Sequence, residues 1–190
     1  MKCETQFWNT GGTLGEQHSC YQTQIGRLSK ALSHLRIGSF DGSVAPSKIV
    51  RNALEHEFRT RDWDLSMLLA PRFPRDIPNQ TVLIDASSSA REKDCQERHL
   101  LSVEICFDNR QTIGTNLLKM EMARREFLKQ GKGETLGLLI VASRQTLRDG
   151  GWDNSVGSSE EYETALISGY GSLIRCPVGL HVLRFETRRT

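Results

Sequence analysis

Two apolar stretches that each carry one carboxylate decide the fold: Val82-Leu-Ile-Asp85 and Leu101-Ser-Val-Glu-Ile-Cys-Phe107. Both have the length and the apolar content of buried strands. A carboxylate inside an apolar strand costs folding free energy unless it is paired or coordinates a cation, so Glu104 needs a partner. We expect this partner to be a divalent metal shared with Asp85, because neighbouring strands lie about 4.8 Å apart and can each offer one carboxylate.

The surrounding sequence predicts an α/β fold with a mixed sheet and helices packed on its faces. Residues 22–35 and 116–129 show the helical spacing of apolar residues, and a further helix, capped by Ser47, is expected to reach Trp63. Strands are expected over residues 80–85, 100–107, 136–143 and 178–185.

At 190 residues the chain fits a single domain. We expect residues 1–45 to form an N-terminal extension of helix and loop, and residues 46–186 to form the core. A proline-rich connector over residues 71–78 leads into the first predicted strand, and a polar loop over residues 86–99 separates the two acidic strands.

Composition and charge exclude several classes of protein. The net charge is only +2, with 25% charged residues, so the surface as a whole is not polycationic and any nucleic-acid contact must be local. No apolar run approaches the roughly 20 residues of a membrane span, and the first residues lack the apolar core of a signal peptide. Five cysteines, an odd number without CxxC spacing, favour free thiols in a reducing compartment, so we expect a cytoplasmic protein.

Two motifs that bear on cofactors are incomplete. Cys95 and His99 form a Cys-x3-His pair, but no second pair at ligand spacing completes a zinc site. The loop over residues 131–135 has glycines and a lysine, but it lacks the Walker A spacing and leads into a strand. We therefore expect no organic cofactor.

The acidic pair favours a hard divalent cation. Two carboxylate oxygens, a backbone carbonyl and waters suit Mg²⁺, with Mn²⁺ as the alternative, and such an ion can present a water to a phosphodiester. The alternative is structural: Asp85 ends a strand and Glu104 pairs with an arginine. Asp94 is a rival to Asp85 as a metal ligand, but it lies in the polar stretch over residues 91–98, whereas Asp85 follows an apolar strand.

The pattern Ile84-Asp85 followed by Val103-Glu104-Ile105-Cys106 resembles the PD-(D/E)xK nucleases, in which an acid ends one strand and an acid-x-third residue lies on the next. Further segments occur in the same order as in the BglII/BstYI family of type II restriction endonucleases, which the chain resembles over roughly residues 46–186. They are residues 52–63, 104–109, 116–127, 136–141, 154–162 and 177–183.

This resemblance implies a homodimer that hydrolyses duplex DNA at a short palindromic site with a GATC core, as part of a restriction-modification system. It implies Asp85 and Glu104 as catalytic metal ligands and Cys106 at the third active-site position. It also places Asn154 and Ser155 in a loop that contacts base edges, where amide and hydroxyl groups can donate and accept. The alternative is that these two residues only form the turn before a capped helix.

Cys106 departs from the family, whose third position is an amide or a charged side chain. A thiol is a poor Mg²⁺ ligand, although the backbone carbonyl of Cys106 can still serve. Three hypotheses follow: an active nuclease, a DNA-binding relative that no longer cleaves, and a partner protein whose acids are simple ion pairs. A set of basic residues has two interpretations: it contacts DNA phosphates, or it is a solvated helix face. The residues are Lys119, Arg124, Arg125, Lys129, Arg144 and Arg148.

Overall fold

A computed structural model describes residues 1–8, 14–61, 63–68, 82–90, 99–131 and 133–185. Its frame is a six-stranded mixed sheet with the strand order β1-β6-β5-β4-β3-β2. The strands are β1 Lys2–Trp8, β2 Asp64–Leu68, β3 Leu83–Ala90, β4 His99–Ile105, β5 Thr135–Ala142 and β6 Val178–Arg184. The predicted α/β class with a mixed sheet is confirmed.

Three parallel strands, β4, β5 and β6, form the centre of the sheet, and the outer strands join it in antiparallel pairs. Every residue of β4 and of β5 is buried. Parallel strands covered on both faces read as nearly continuous apolar runs, which is why these strands are visible in the sequence. The buried Glu104 of β4 is therefore an exception that requires an explanation.

Helices cover both faces of the sheet. They are α1 Leu14–Ser33, α2 Pro46–Thr60, α3 Ile113–Lys129, α4 Arg144–Asp149, α5 Ser159–Ala165 and α6 Gly171–Leu173. Helices α1 and α2 pack on one face through side chains such as Leu28 and Leu54. Helices α3 and α5 pack on the other face through side chains such as Met120 and Tyr162. Each of these four packed helices thus buries one apolar stripe against the sheet.

Helix α3 is fixed against the sheet at two points. A Cβ atom on Gly137 of β5 would lie 2.7 Å from the Cβ of Met120, so the glycine permits this close approach. The Glu121 carboxylate accepts hydrogen bonds of 2.9 Å from the backbone amides of both Arg175 and Cys176, just before β6. These contacts determine the position of Lys119, the neighbour of Met120, relative to β4.

Three sequence predictions need correction. Strand β3 continues to Ala90, although residues 86–99 were expected to form a polar loop, because its serines pair with β4; Ser87 is only 1% exposed. Helix α2 begins at Pro46 with Ala45 as its N-cap, so Ser47 lies inside the helix and is not the cap. The edge strands β1 and β2 were not predicted, because their sequences carry no continuous apolar run.

The segment predicted as an N-terminal extension, residues 1–45, contributes to the same sheet and core as the rest. Strand β1 pairs with β6 along its whole length, and α1 buries Tyr21, Leu28 and Leu32. In the part of the chain that is described, no helix is both long enough and apolar enough to cross a bilayer. The proline-rich connector over residues 71–78, as well as Asp94 and Cys95, lies outside the described residues.

Candidate active site

Asp85 and Glu104 lie on adjacent antiparallel strands at the end of their shared ladder. The last pair in the β3–β4 register is Ala86 with Val103, and the next position on each strand is Asp85 and Glu104. Residues directly opposite in an antiparallel pair share one face of the sheet and have Cβ atoms about 4.5–5.5 Å apart. The two carboxylates predicted from the sequence are therefore brought together.

The Asp85 carboxylate is held by one cation and one backbone amide. Arg51 of α2 donates from Nη1 to Asp85 Oδ1 over 2.7 Å. The backbone amide of Ile105 donates to Asp85 Oδ2 over 2.8 Å, which ties the acid directly to the residue that follows Glu104. The Asp85 side chain remains 23% exposed, so its site opens to solvent.

The Glu104 carboxylate is almost completely buried and only half satisfied. Its Oε1 forms an ion pair with the ammonium of Lys119 from α3. Its Oε2 is buried and has no hydrogen-bond partner in the described structure. Burial and the nearby Asp85 carboxylate raise the pKa of Glu104 to about 7, although the Lys119 ammonium lowers it. A buried carboxylate oxygen without a partner is costly, so this oxygen is a candidate donor to a ligand.

These residues fit a divalent metal. Asp85 and Glu104 repel each other across the ladder, and the unpartnered Oε2 of Glu104 is an available hard oxygen donor. No group of three or more histidine, cysteine, aspartate or glutamate side chains gathers within the described ranges. A metal here would therefore complete its coordination with backbone carbonyls, waters or phosphate oxygens, which is the pattern typical of Mg²⁺.

Cys106 lies on the same strand face as Glu104 but is sealed in the core. The side chain is 1% exposed and packs in the cluster beneath α3 and α5, beside Tyr162. Its thiol donates to the backbone carbonyl of Glu104 over 3.5 Å. Burial, and then the Glu104 carboxylate, raise the pKa of the Cys106 thiol well above its ordinary value, so the group is neutral. A neutral buried thiol supplies neither a charge nor a hard ligand.

Asn154 and Ser155 lie in the loop between α4 and α5, and Arg110, in the segment between β4 and α3, binds the backbone of that loop. The backbone amide of Arg110 donates to the Ser155 carbonyl over 2.7 Å, and its guanidinium donates to the Asn154 carbonyl. An isolated bridge between Asn109 and Val156 adds to this contact. The Asn154 side chain is exposed, so its amide is free of these backbone contacts.

The helix expected after this loop is present. Ser158 and Glu161 form a capping box at the start of α5, in which the Ser158 backbone amide donates to the Glu161 carboxylate over 2.8 Å. Asn154 and Ser155 precede this cap by several residues and do not form it. The turn interpretation and the base-contact interpretation of the loop are therefore compatible.

A cavity of about 480 Å³ adjoins the loop. Arg144, Arg148 and Asn154 contribute to its wall. The guanidinium groups of both arginines are without a partner in the part of the chain described. The indole Nε1 of Trp152, another wall residue, is buried and also unpartnered within the described structure. A cleft with free guanidinium groups and a spare N–H donor suits an anion.

The remaining basic residues of the predicted phosphate face have internal partners. Arg124 and Arg125 both bind Glu121, and Lys129 pairs with Glu126. Sequence reasoning missed Arg51 and Arg110, and it assigned Lys119 to a surface role. Each of the three is one basic residue on a helical segment, and no motif or characteristic spacing connects it to Asp85, Glu104 or the loop.

No protein-family model matches the chain, and no curated protein matches its sequence. Among solved structures, the chain is similar to the restriction endonuclease BglII complexed with a DNA 16-mer. The TM-score is 0.60 at 13% sequence identity, and the match covers 99% of this chain and 80% of that chain. At this identity the likeness establishes architecture: the chain has a restriction-endonuclease-like fold.

Proposed function

We propose that the protein is a type II restriction endonuclease, which hydrolyses phosphodiester bonds of duplex DNA at a short palindromic site. The observation that carries the proposal is the facing pair of Asp85 and Glu104 at the end of the β3–β4 ladder. One oxygen of this pair is buried and unpartnered in the described structure. The restriction-endonuclease-like fold gives the pair its context.

Asp85 and Glu104 would hold Mg²⁺ or Mn²⁺. Bound there, the ion would acidify a water molecule and offset the charge that develops on the phosphate during hydrolysis. Arg51 and the Ile105 amide orient Asp85, and the β4 backbone fixes Glu104. Cys106 would take the third active-site position through its backbone, because its thiol is buried and neutral.

The loop between α4 and α5 would read the DNA. The exposed amide of Asn154 and the hydroxyl of Ser155 suit base edges in the major groove, and the short contacts from Arg110 hold the loop in place. The free guanidinium groups of Arg144 and Arg148 would bind backbone phosphates, which fix position and affinity but not sequence. We propose a GATC-containing target on the family resemblance.

Two copies of the chain would act as a homodimer, because a two-fold symmetric DNA site calls for a two-fold symmetric protein. Each copy would supply one acidic pair and one reading loop. The reaction needs no organic cofactor. We propose that the enzyme works in the cytoplasm within a restriction-modification system.

One observation favours a second candidate function, a sequence-specific DNA-binding relative that does not cleave. Cys106 brings no amide, acid or amine to the site, and its thiol is turned into the core. A relative of this kind would bind its palindrome and leave the phosphodiester intact. Replacing Cys106 by Gln would then create cleavage where the wild-type protein has none.

A combined binding and cleavage assay tests the two candidates. Phage DNA fragments are incubated with the purified protein in Mg²⁺, in Mn²⁺ and in chelator, and bound and cut fragments are identified. New fragment ends in both metals, but not in chelator, support the nuclease. Selective retention of uncut fragments that share a palindrome, with cleavage gained in Cys106→Gln, supports the binding protein. If the protein neither binds nor cuts DNA, both candidate functions are contradicted, and Asp85 and Glu104 are simple ion pairs.

A further inference from the structure

Lys119 reaches the acidic pair from helix α3. Its ammonium contacts Oε1 of Glu104, and its side chain is only 21% exposed. The helix is held in place directly after this lysine, by the close approach of Met120 to Gly137 and by the two hydrogen bonds that Glu121 accepts from backbone amides. Lys119 is thus held beside β4 by the contacts of its own helix, unlike a basic residue on a solvated helix face.

The Lys119 ammonium keeps hydrogen-bonding capacity beyond this ion pair. A lysine ammonium carries three N–H donors, and the contact with Glu104 uses one of them. Among the residues that the structure describes, no other acceptor binds it. Donors that remain free beside two carboxylates, at the open end of a ladder, are placed to meet an incoming anion.

The balance of charge around the acidic pair also indicates that Lys119 can bind an anion. The carboxylates of Asp85 and Glu104 are offset by the guanidinium of Arg51 and the ammonium of Lys119. A phosphodiester that approaches two carboxylates is repelled unless local positive charge accompanies it. Cys106 cannot supply that charge, because its thiol is neutral and buried in the core beneath α3 and α5.

We propose that Lys119 is a catalytic residue of this site, whose ammonium binds the scissile phosphate and thereby performs from α3 the task that position 106 does not perform on β4. The inference rests on the nuclease function proposed above. Arg51 is less suited to this task, because its guanidinium holds Asp85 from α2 and its side chain is 40% exposed. A lysine ammonium is a compact point charge, which suits a single phosphate oxygen.

The Lys119→Met variant separates this role from a structural one, because two measurements should move in opposite directions. Single-turnover cleavage should slow by about 100-fold or more, the scale for losing one preorganised electrostatic group. Binding of Mn²⁺ without DNA, followed by calorimetry, should tighten by about tenfold, because the ammonium that competes for Glu104 is gone. Lys119→Arg, which keeps the charge on a larger group, should lose about tenfold in cleavage.

Lys129→Met is the matched control. Lys129 lies ten residues further along α3, about 15 Å away, and pairs with Glu126 in an exposed position. We expect this variant to cleave and to bind Mn²⁺ within about threefold of the wild-type protein. Thermal unfolding of all variants in chelator shows whether each remains folded at the assay temperature.

Four outcomes are informative. Slower cleavage with tighter Mn²⁺ binding in folded Lys119→Met supports the proposal. Cleavage by Lys119→Met within about threefold of wild type overturns it, and so does a joint loss of cleavage, Mn²⁺ affinity and folding. A wild-type protein that fails to cut any DNA overturns the nuclease function itself, which is a different result from a defect confined to the Lys119 variants.

Discussion

Asp85 and Glu104 occupy facing positions on β3 and β4, one register step beyond the Ala86–Val103 pair that ends the ladder. The two acids are far apart in the chain, and an antiparallel ladder of five pairs brings them together. The Ile105 amide then binds Asp85 directly. The geometry of the acidic pair is therefore a property of the sheet.

This relationship separates Asp85 from its rival Asp94. We expect Asp85→Asn to lower the cleavage rate by about 100-fold or more, because the amide loses the charge that attracts a cation opposite Glu104. Asp94→Asn should cleave within about threefold of wild type. Single-turnover assays in Mg²⁺ compare the two variants. The reverse order of activities would assign the first metal ligand to Asp94.

Cys106→Ala should preserve cleavage, because only the backbone of this position faces the site in our proposal. The substitution removes a buried sulfur atom from the cluster under α3 and α5, so we expect a loss of about 1 kcal/mol in the free energy of unfolding. Urea unfolding and cleavage rates test both parts. A large loss of activity in a stably folded Cys106→Ala protein would give the thiol itself a role.

The loop between α4 and α5 and the cleft lined by Arg144 and Arg148 should contribute differently to DNA binding. Asn154→Ala should weaken binding to the target site by about 1–3 kcal/mol and leave binding to unrelated DNA unchanged, as expected for a base contact. Arg148→Ala should weaken binding to the target and to unrelated DNA equally. It should also lower the slope of log affinity against log salt concentration by about one. Fluorescence anisotropy in chelator at several salt concentrations measures these effects. Equal effects of Asn154→Ala on both DNAs would exclude base reading by its amide.

Acid should destabilise the protein through His181. This histidine is fully buried in β6, beside the hydroxyl groups of Thr5 at 2.9 Å and Ser29 at 3.4 Å. Burial lowers the pKa of His181 to about 4 from its ordinary 6.5. Between these values the unfolded chain binds the proton and the folded protein does not, so stability falls as the pH drops through this window.

The size of this effect is about 3 kcal/mol between pH 6.5 and pH 4. Urea unfolding across this range measures it, and His181→Gln should flatten the curve. The exposed His34 provides the control, since His34→Gln should keep the wild-type slope. A His181→Gln protein with an unchanged pH dependence would assign the acid sensitivity to other groups.

The sequence predicts the centre of the sheet well and its periphery poorly. The strands with Glu104, Leu138 and Val182 carry long apolar runs because they are covered on both faces. The serines of β3 resemble a loop by composition, and only their pairing with β4 makes them a strand. The edge strands β1 and β2 carry no long apolar run, so the sequence pattern alone does not reveal them.

Of the candidate site, the sequence predicts the two acidic residues but not their basic partners. Asp85 and Glu104 stand out because a carboxylate beside an apolar run demands a partner. Their partners Arg51 and Lys119 do not stand out, because each is one basic residue among many on an amphipathic helix. Their role depends on how α2 and α3 dock, through contacts such as Met120 on Gly137, and docking leaves no local mark in the sequence.

The most direct test of the nuclease proposal compares the wild-type protein with Glu104→Ala on DNA of many sequences, in Mg²⁺, Mn²⁺ and chelator, followed by sequencing of the fragment ends. Glu126→Ala, which removes a carboxylate elsewhere on the surface of α3, is the control. We predict discrete metal-dependent fragments that all end at one palindromic sequence, present with Glu126→Ala and absent with Glu104→Ala. Intact DNA in every reaction, or the same fragments from Glu104→Ala, would contradict a metal-dependent endonuclease centred on Glu104.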